Sequence, residues 1–402
     1  MANCPTLCVG DWELKGHLLE DSRLLVLVEA HQSCWINIVI EQTGCQKRWM
    51  TLFFDWFLRR TQQPTSDARA SEMLLLAVLG SCHERYKHEL PEFGNNLCLT
   101  NVDDDGHPTI IEEADPAIVE VLPTADVLFG KKEIPLHIIP KSKLRVQAIN
   151  GTFFLPQTRP VLYDGETFVA KGPASATRVL DDLREAVSLV SLQMANTHPH
   201  ILPPPVALVG LSDDDKRICG FLIPFYKNGN LGSYARQLRG VGELTPFILQ
   251  AWFRQLVSAT KFLVDAGTWH GDIKPDNIVV ESSGAIILID LAGKYTTTSI
   301  ASPERGSLEV PVDWPLASIE KSEVYSIGRT MYFVSEGIAM ETIYNNPETP
   351  QASQTSFSDA TSTPAQLKDL ILSCVNEDPT QRPSLSDLAS RLTGRLTGHI
   401  VP

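Results

Sequence analysis

The spacing of apolar and polar positions changes along the chain, from short strand-like runs to long helical ones. Near the start, Trp35-Ile36-Asn37-Ile38-Val39-Ile40 alternates partially and is rich in β-branched residues, which predicts a strand. The apolar run Leu52 to Leu58 ends in Arg59-Arg60 and gives way to a polar stretch from Thr61 to Ser71. Ser71 suits a helix cap ahead of the apolar run Met73 to Leu79. Asn101 to His107, with Asp103, Asp104, Asp105 and Gly106, reads as an acidic turn. Residues 1–140 are expected to form a small α+β module that carries no catalytic signature.

From about residue 141 the pattern becomes strands followed by helices. Leu144 to Ile149 and Thr152 to Leu155 are expected to pair around Asn150-Gly151. Tyr163-Asp164-Gly165-Glu166 is a turn leading into the strand-like Thr167-Phe168-Val169-Ala170-Lys171. Asp181 to Leu192 places Leu183, Val187 and Val190 on one stripe, and Pro246 to Val264 carries Ile248, Trp252, Phe253, Leu256, Val257 and Phe262, so both predict amphipathic helices. The polar stretch Tyr344 to Pro364 is a loop, and Ala365 to Val375 another helix. There is no internal repeat.

Length and charge narrow the classes. At 402 residues the chain is expected to hold two domains, or one with a large extension, and an apolar fraction of 43% suffices for buried cores. A formal net charge of −14 argues against general nucleic-acid binding and polybasic membrane anchoring. Met1 to Gly16 has no apolar core, so no secretory leader is expected, and the apolar runs are too short to cross a bilayer. Six of eight cysteines fall within the first 98 residues. Cys4 and Cys8 have no second paired set, so reduced thiols are favoured over a metal site. An intracellular protein, cytoplasmic or nuclear, is the expectation.

Phosphoryl transfer from a nucleotide requires a cation on the phosphates, metal ligands, a carboxylate for the acceptor hydroxyl and neutralisation of developing charge. Asp272 supplies a carboxylate, Lys274 a cation two residues on, and Asn277 a neutral oxygen ligand. Ile278-Val279-Val280 and Ala285 to Ile289 then read as buried strands, the second ending in Asp290, a further ligand for Mg²⁺. Taken singly, each of these residues also suits ordinary turn chemistry, Lys171 a solvated strand end and Glu185 a helix surface.

Together they resemble a known family. His270-Gly271-Asp272-Ile273-Lys274-Pro275-Asp276-Asn277 is similar to the H-R-D-x-K-x-x-N loop of eukaryotic-type protein kinases, and Asp290-Leu291-Ala292 to D-F-G. Ser302-Pro303-Glu304 resembles A-P-E, Glu323 to Gly328 the D-x-x-x-x-G helix start, and Arg382-Pro383 the late arginine. Val169-Ala170-Lys171 resembles V-A-I-K, with Glu185 on the next helix as the partner of Lys171. His198-Pro199-His200-Ile201 resembles the turn after that helix, and Phe221 to Tyr226 the hinge. The chain also looks like divergent kinase-like proteins of filamentous fungi.

The resemblance implies an α+β fold over residues 141–395, with a small β-rich lobe to about 223, a large helical lobe from 224, and the extension 1–140. It implies a serine/threonine protein kinase using ATP and Mg²⁺ on a protein substrate. Asp272 and Lys274 would be catalytic, and Asn277 and Asp290 would hold metal. Lys171, Glu185, Ala170, Pro224, Tyr226 and Gly151 would bind nucleotide, and Glu304 would pair with Arg382. The departures keep two alternatives open. No G-x-G-x-x-G precedes Lys171, only Gly151, which equally suits a plain hairpin, and Ala292 replaces the D-F-G glycine; both admit a pseudokinase scaffold. Gly271 replaces the H-R-D arginine, giving a non-RD loop and admitting a small-molecule kinase of the aminoglycoside or choline type. Glu323 stands where an aspartate braces the loop, and Thr296 to Ser299 read as a solvated loop.

Overall fold

The computed structural model describes residues 8–9, 12–20, 23–30, 34–41, 76–85, 95–102, 108–114, 116–130, 136–147, 149, 157–291, 300–305, 314–339, 356–358 and 363–393. Its contacts separate Met1–Leu183 with Pro205–Phe225 from Arg184–Pro204 with Tyr226–Pro402. Among the described residues no helix is long and apolar enough to cross a membrane.

The first unit contains two six-stranded sheets. One runs in chain order through β1 (Cys8–Val9), β2 (Trp12–Glu20), β3 (Arg23–Ala30), β4 (Cys34–Glu41), β5 (Asn95–Val102) and β6 (Pro108–Ala114). The predicted strand 35–40 lies within β4. Its pairing with β5 is parallel, which requires a long crossover, and helix α1 (residues 76–85) lies in that connection. Val78, Leu79 and Cys82 form one buried helix face, while Ile38, Leu97 and Leu99 are buried in the sheet. Leu52 to Leu58, Ser71, Asp103 to His107 and Cys4 lie outside the described residues.

The second sheet has the order β7 (Ile138–Pro140), β11 (Ala207–Gly210), β12 (Ile218–Pro224), β10 (Glu166–Lys171), β9 (Thr158–Tyr163), β8 (Arg145–Val146). The predicted turn joins β9 to β10: Asp164 and Gly165 have φ of 49° and 83°. Two left-handed residues in a two-residue loop match the twist of a hairpin. Of the strand expected over 144–149, β8 pairs with β9; Asn150, Gly151 and Thr152 to Leu155 lie outside the described residues. Helices α2 (Pro116–Val121) and α3 (Ala125–Phe129) precede this sheet and are fastened to it. Ile218 N–H donates to Pro123 O at 2.7 Å, and Arg217 Nη1 donates to Val119 O at 2.6 Å.

The other predicted helices form close to their expected limits. Helix α4 (Val179–Ala195) buries Val179, Leu183, Ala186 and Val190 at helical spacing. The second unit adds α5 (Leu231–Gly240), α6 (Pro246–Asp265), α7 (Leu316–Glu336), α8 (Ala365–Cys374) and α9 (Leu385–Thr393), with the hairpin β13 (Ile278–Val280) and β14 (Ile286–Leu288). Thr245 caps α6 by accepting from Ile248 N–H at 3.3 Å, and Pro246 fills the first helical turn, where its missing N–H costs nothing. Trp252, Phe253, Leu256 and Val257 from α6 share a core with Val324, Ile327, Met331 and Phe333 from α7 and Leu370 and Ile371 from α8. Cys82, Cys219 and Cys374 are buried free thiols, each pushed up to about 12 by burial, so none is a ready nucleophile. The architecture is the expected α+β one, a strand-rich lobe followed in sequence by a helical lobe.

Candidate active site

The loop between α6 and β13 is held by α7 from beneath. Glu323, 3% exposed, accepts from His270 N–H at 3.2 Å through Oε2 and from Gly271 N–H at 2.9 Å through Oε1. Gly271 has φ of 83°, a conformation a side chain would strain. Two helical turns further along α7, Thr330 Oγ1 donates to Ile273 O at 2.8 Å. His270 Nδ1 accepts from Asp272 N–H at 3.2 Å, so Nε2 carries the proton and donates to Ile289 O at 2.7 Å. That ring ties the loop to the end of the β13–β14 hairpin.

Three predicted site residues meet in this frame. Asp272 is 8% exposed, and Lys274 Nζ stands 2.8 Å from its Oδ2. The 3₁₀ turn Pro275–Asn277 carries Asn277 back, so that its Nδ2 donates to Asp272 O at 2.9 Å and to Asp272 Oδ2 at 3.1 Å. Asp290 lies two residues past the end of β14, and the intervening Ile289 N–H donates to Asn277 O at 2.9 Å. Asp290 has φ of 71°, rare for a residue with a side chain and a form of strain that gathers at functional sites.

The remaining candidates occupy other elements. Lys171 ends β10, paired with Thr158 on one side and Phe221 on the other, and Ala170 beside it is fully buried. Pro224 ends β12 opposite Phe168. Tyr226 O accepts from Gly229 N–H at 3.0 Å; burial pushes its phenol up to about 12, with the negative charge of Glu281 adding to the effect. Glu185 lies on α4, 1% exposed. Gly151, Ala292 and Thr296 to Ser299 lie outside the described residues, as does Cys4. Among the described residues there is no group of three or more His, Cys, Asp and Glu placed to hold a metal ion.

Charge around the loop is layered. Burial raises Glu323 above its ordinary range, opposed by the adjacent His270 ring, the two N–H donors and Arg305. Arg305, which no motif singled out, donates from Nη1 to Gly271 O at 3.3 Å. Burial holds its guanidinium below its usual range, against the pull of Glu323, Asp272 and Glu304. Only its place after Ser302-Pro303-Glu304 was a signal in the sequence. Ser302 Oγ and Ser322 Oγ lie 2.9 Å apart, and Ser326 Oγ donates to Ile300 O at 3.1 Å, fixing the segment 300–305 on α7.

The protein kinase domain family matches residues 174–392, more than half of the chain. Sperm motility kinase 3A of Mus musculus is 26% identical over 50% of this chain and 40% of its own length. A probable serine/threonine-protein kinase CHK1 homolog of Encephalitozoon cuniculi is 31% identical over 32% of this chain and 28% of its own. Mitogen-activated protein kinase kinase kinase ANP1 of Arabidopsis thaliana is 24% identical over 56% of this chain and 34% of its own. The chain thus spans less than half the length of these three relatives. With a catalytic-loop geometry and a family match that agree, the chain belongs to the eukaryotic-type protein kinases as a divergent member.

Proposed function

We propose that this protein is a serine/threonine protein kinase in which Asp272 orients the acceptor hydroxyl and accepts its proton. The observation that carries this reading is the contact of Lys274 Nζ with Asp272 Oδ2 at 2.8 Å, with Asn277 Nδ2 on the same oxygen at 3.1 Å. The two donors fix the rotamer of the carboxylate that an acceptor hydroxyl would meet. Lys274 beside it offsets charge on the transferring phosphoryl group. The relatives named serine/threonine-protein kinase support this acceptor class.

The donor set also fits a nucleotide-borne Mg²⁺. Asn277 uses its amide N–H₂ on Asp272, which leaves Oδ1 as its acceptor, and Asp290 adds a carboxylate. Two hard oxygen donors suit a cation whose remaining ligands are waters and phosphates. When bound, Mg²⁺ would supply charge neutralisation on the phosphates. In this reading Lys171, Glu185 and Gly151 serve the nucleotide's phosphates, as the family resemblance implies. Ala170 packs on adenine; Pro224 offers its carbonyl and Tyr226 its N–H.

The test is transfer of labelled phosphate from ATP to protein serine and threonine, comparing the full chain with Asp272→Asn. The variant should lose about 10²- to 10⁴-fold in rate while keeping the thermal shift given by Mg-ATP. An Asp272→Asn protein that transfers at the wild-type rate ends this assignment. A second reading, a scaffold without transfer, is favoured by the missing glycine-rich loop. It predicts no thermal shift at millimolar Mg-ATP.

A further inference from the structure

The loop lacks a side chain at residue 271, and a cation reaches that position from elsewhere. Arg305 Nη1 lies 3.3 Å from Gly271 O, on the peptide that joins Gly271 to Asp272. Around the guanidinium stand the carboxylates of Glu323 from α7, Asp272 from the loop and Glu304 from its own segment. Other cations flank two of these: Lys274 on Asp272 and Arg382 on Glu304. His270 faces Glu323 from the loop side. Arg305 therefore sits where three negative charges converge, and its backbone is fixed by Arg305 N–H donating to Ser302 O at 3.0 Å.

We propose that Arg305 is a positioning residue for Asp272, supplying from the turn Ser302–Arg305 the cation the loop lacks at Gly271 and pinning the peptide before Asp272. This rests on the reading of Asp272 given above. Three converging carboxylates repel one another, and a cation among them lets the loop close without pushing Asp272 aside. Gly271 has no side chain to restrict its backbone, and Arg305 adds a hold on its carbonyl to the one Glu323 has on its N–H. The neighbouring Glu304 is clamped by Arg382, so the cation arrives with the fold itself.

The experiment compares full-length Arg305→Lys, Arg305→Gln and Arg305→Met with wild type and with Asp272→Asn. It reads kcat, KM for Mg-ATP and hydrogen exchange at the Gly271 and Asp272 amides. Arg305→Lys, which keeps the charge, should stay within about threefold of the wild-type kcat. Arg305→Gln and Arg305→Met should lose about 10- to 100-fold in kcat, the cost of misplacing a reacting group, with KM for Mg-ATP within about twofold and faster exchange at both amides. Wild-type kcat and exchange in Arg305→Gln overturn the proposal, as does a Lys variant that loses as much as Gln. Full activity in Asp272→Asn sinks the underlying site reading instead. If Arg305→Met does not fold, the Lys and Gln variants decide, and if the wild type shows no transfer, the exchange rates decide.

Discussion

Arg382 closes on Glu304 with two hydrogen bonds, Nη1 to Oε1 at 2.7 Å and Nη2 to Oε2 at 2.8 Å, across 78 residues of sequence. The guanidinium is fully buried, its Nε donates to Asn376 O at 2.7 Å, and its face lies 4.9 Å from the centre of the Tyr325 ring. Losing one partner of a buried, hydrogen-bonded pair leaves the other charge uncompensated. Arg382→Met should therefore destabilise the protein by about 3–5 kcal/mol in urea unfolding. Burial pushes the Glu304 carboxyl up, but the Arg382 hydrogen bonds and charge outweigh it and hold the group below its ordinary 4.5. A lowered folded-state value gives stability that is present above 4.5 and lost as pH falls through the folded value. The stability difference between wild type and Glu304→Gln should shrink on acidification from pH 5, and a constant difference would remove the ion pair from the account.

Glu323 should show the opposite slope. Burial comes first and raises its carboxyl above 4.5, so the folded state holds that proton more tightly than the unfolded chain does. Stability from this group is then full below 4.5 and declines as pH rises through the folded value. Glu323→Gln removes the slope but has one acceptor oxygen for two N–H donors, Gly271 and His270. Relative to wild type, the variant should gain stability as pH rises above 4.5. Its catalytic-loop amides should exchange faster at pH 7.

Much of the site was legible because its parts are local. Asp272, Lys274 and Asn277 lie within six residues, and one turn brings them together whatever the rest of the chain does. The Glu304–Arg382 pair was legible only through the family resemblance, since nothing in either residue's neighbourhood specifies a partner 78 positions away. Arg305 was missed because its role depends on a close approach to a backbone carbonyl, which leaves no periodic trace. Helices at 3.6-residue spacing emerged close to their predicted limits. The sheet of the extension did not, because strand order and the parallel β4–β5 pairing are set by long-range contacts. Its first residues revealed a strand without revealing its neighbours.

Arg217 joins helix α2 to the second sheet. It donates to Val119 O at 2.6 Å while two further nitrogens grip Asp215 at 2.6 to 3.1 Å, which fixes the guanidinium at the mouth of the β11–β12 hairpin. The Asp215 side chain is held below its ordinary range by the Arg217 hydrogen bonds. Arg217→Ala releases the α2 carbonyl and leaves only backbone bonds such as Ile218 N–H to Pro123 O. Faster hydrogen exchange over 116–123, with little change in β10 and β12, is the expected outcome. Unchanged exchange over 116–123 would show that the arginine does not fasten this segment.

Gly328 sets how closely α7 and α8 approach. A Cβ there would lie 2.6 Å from Cys374 Cβ and 2.8 Å from Val375 Cγ1. Gly328→Ala gains about 1 kcal/mol in helix propensity, yet overpacking costs about 1–3 kcal/mol. The Cys374 contact is with a Cβ atom, which no rotamer change can move, so the cost belongs at the upper end of that range. The balance is a net loss of about 1–2 kcal/mol in urea unfolding. Because Glu323 and Thr330 flank this position on α7 and both hold the catalytic loop, a displaced helix should also carry the loop with it. Gly328→Ala is therefore expected to lower kcat beyond what its loss of folded protein explains, and normal kcat per folded molecule would separate the helix contact from the site.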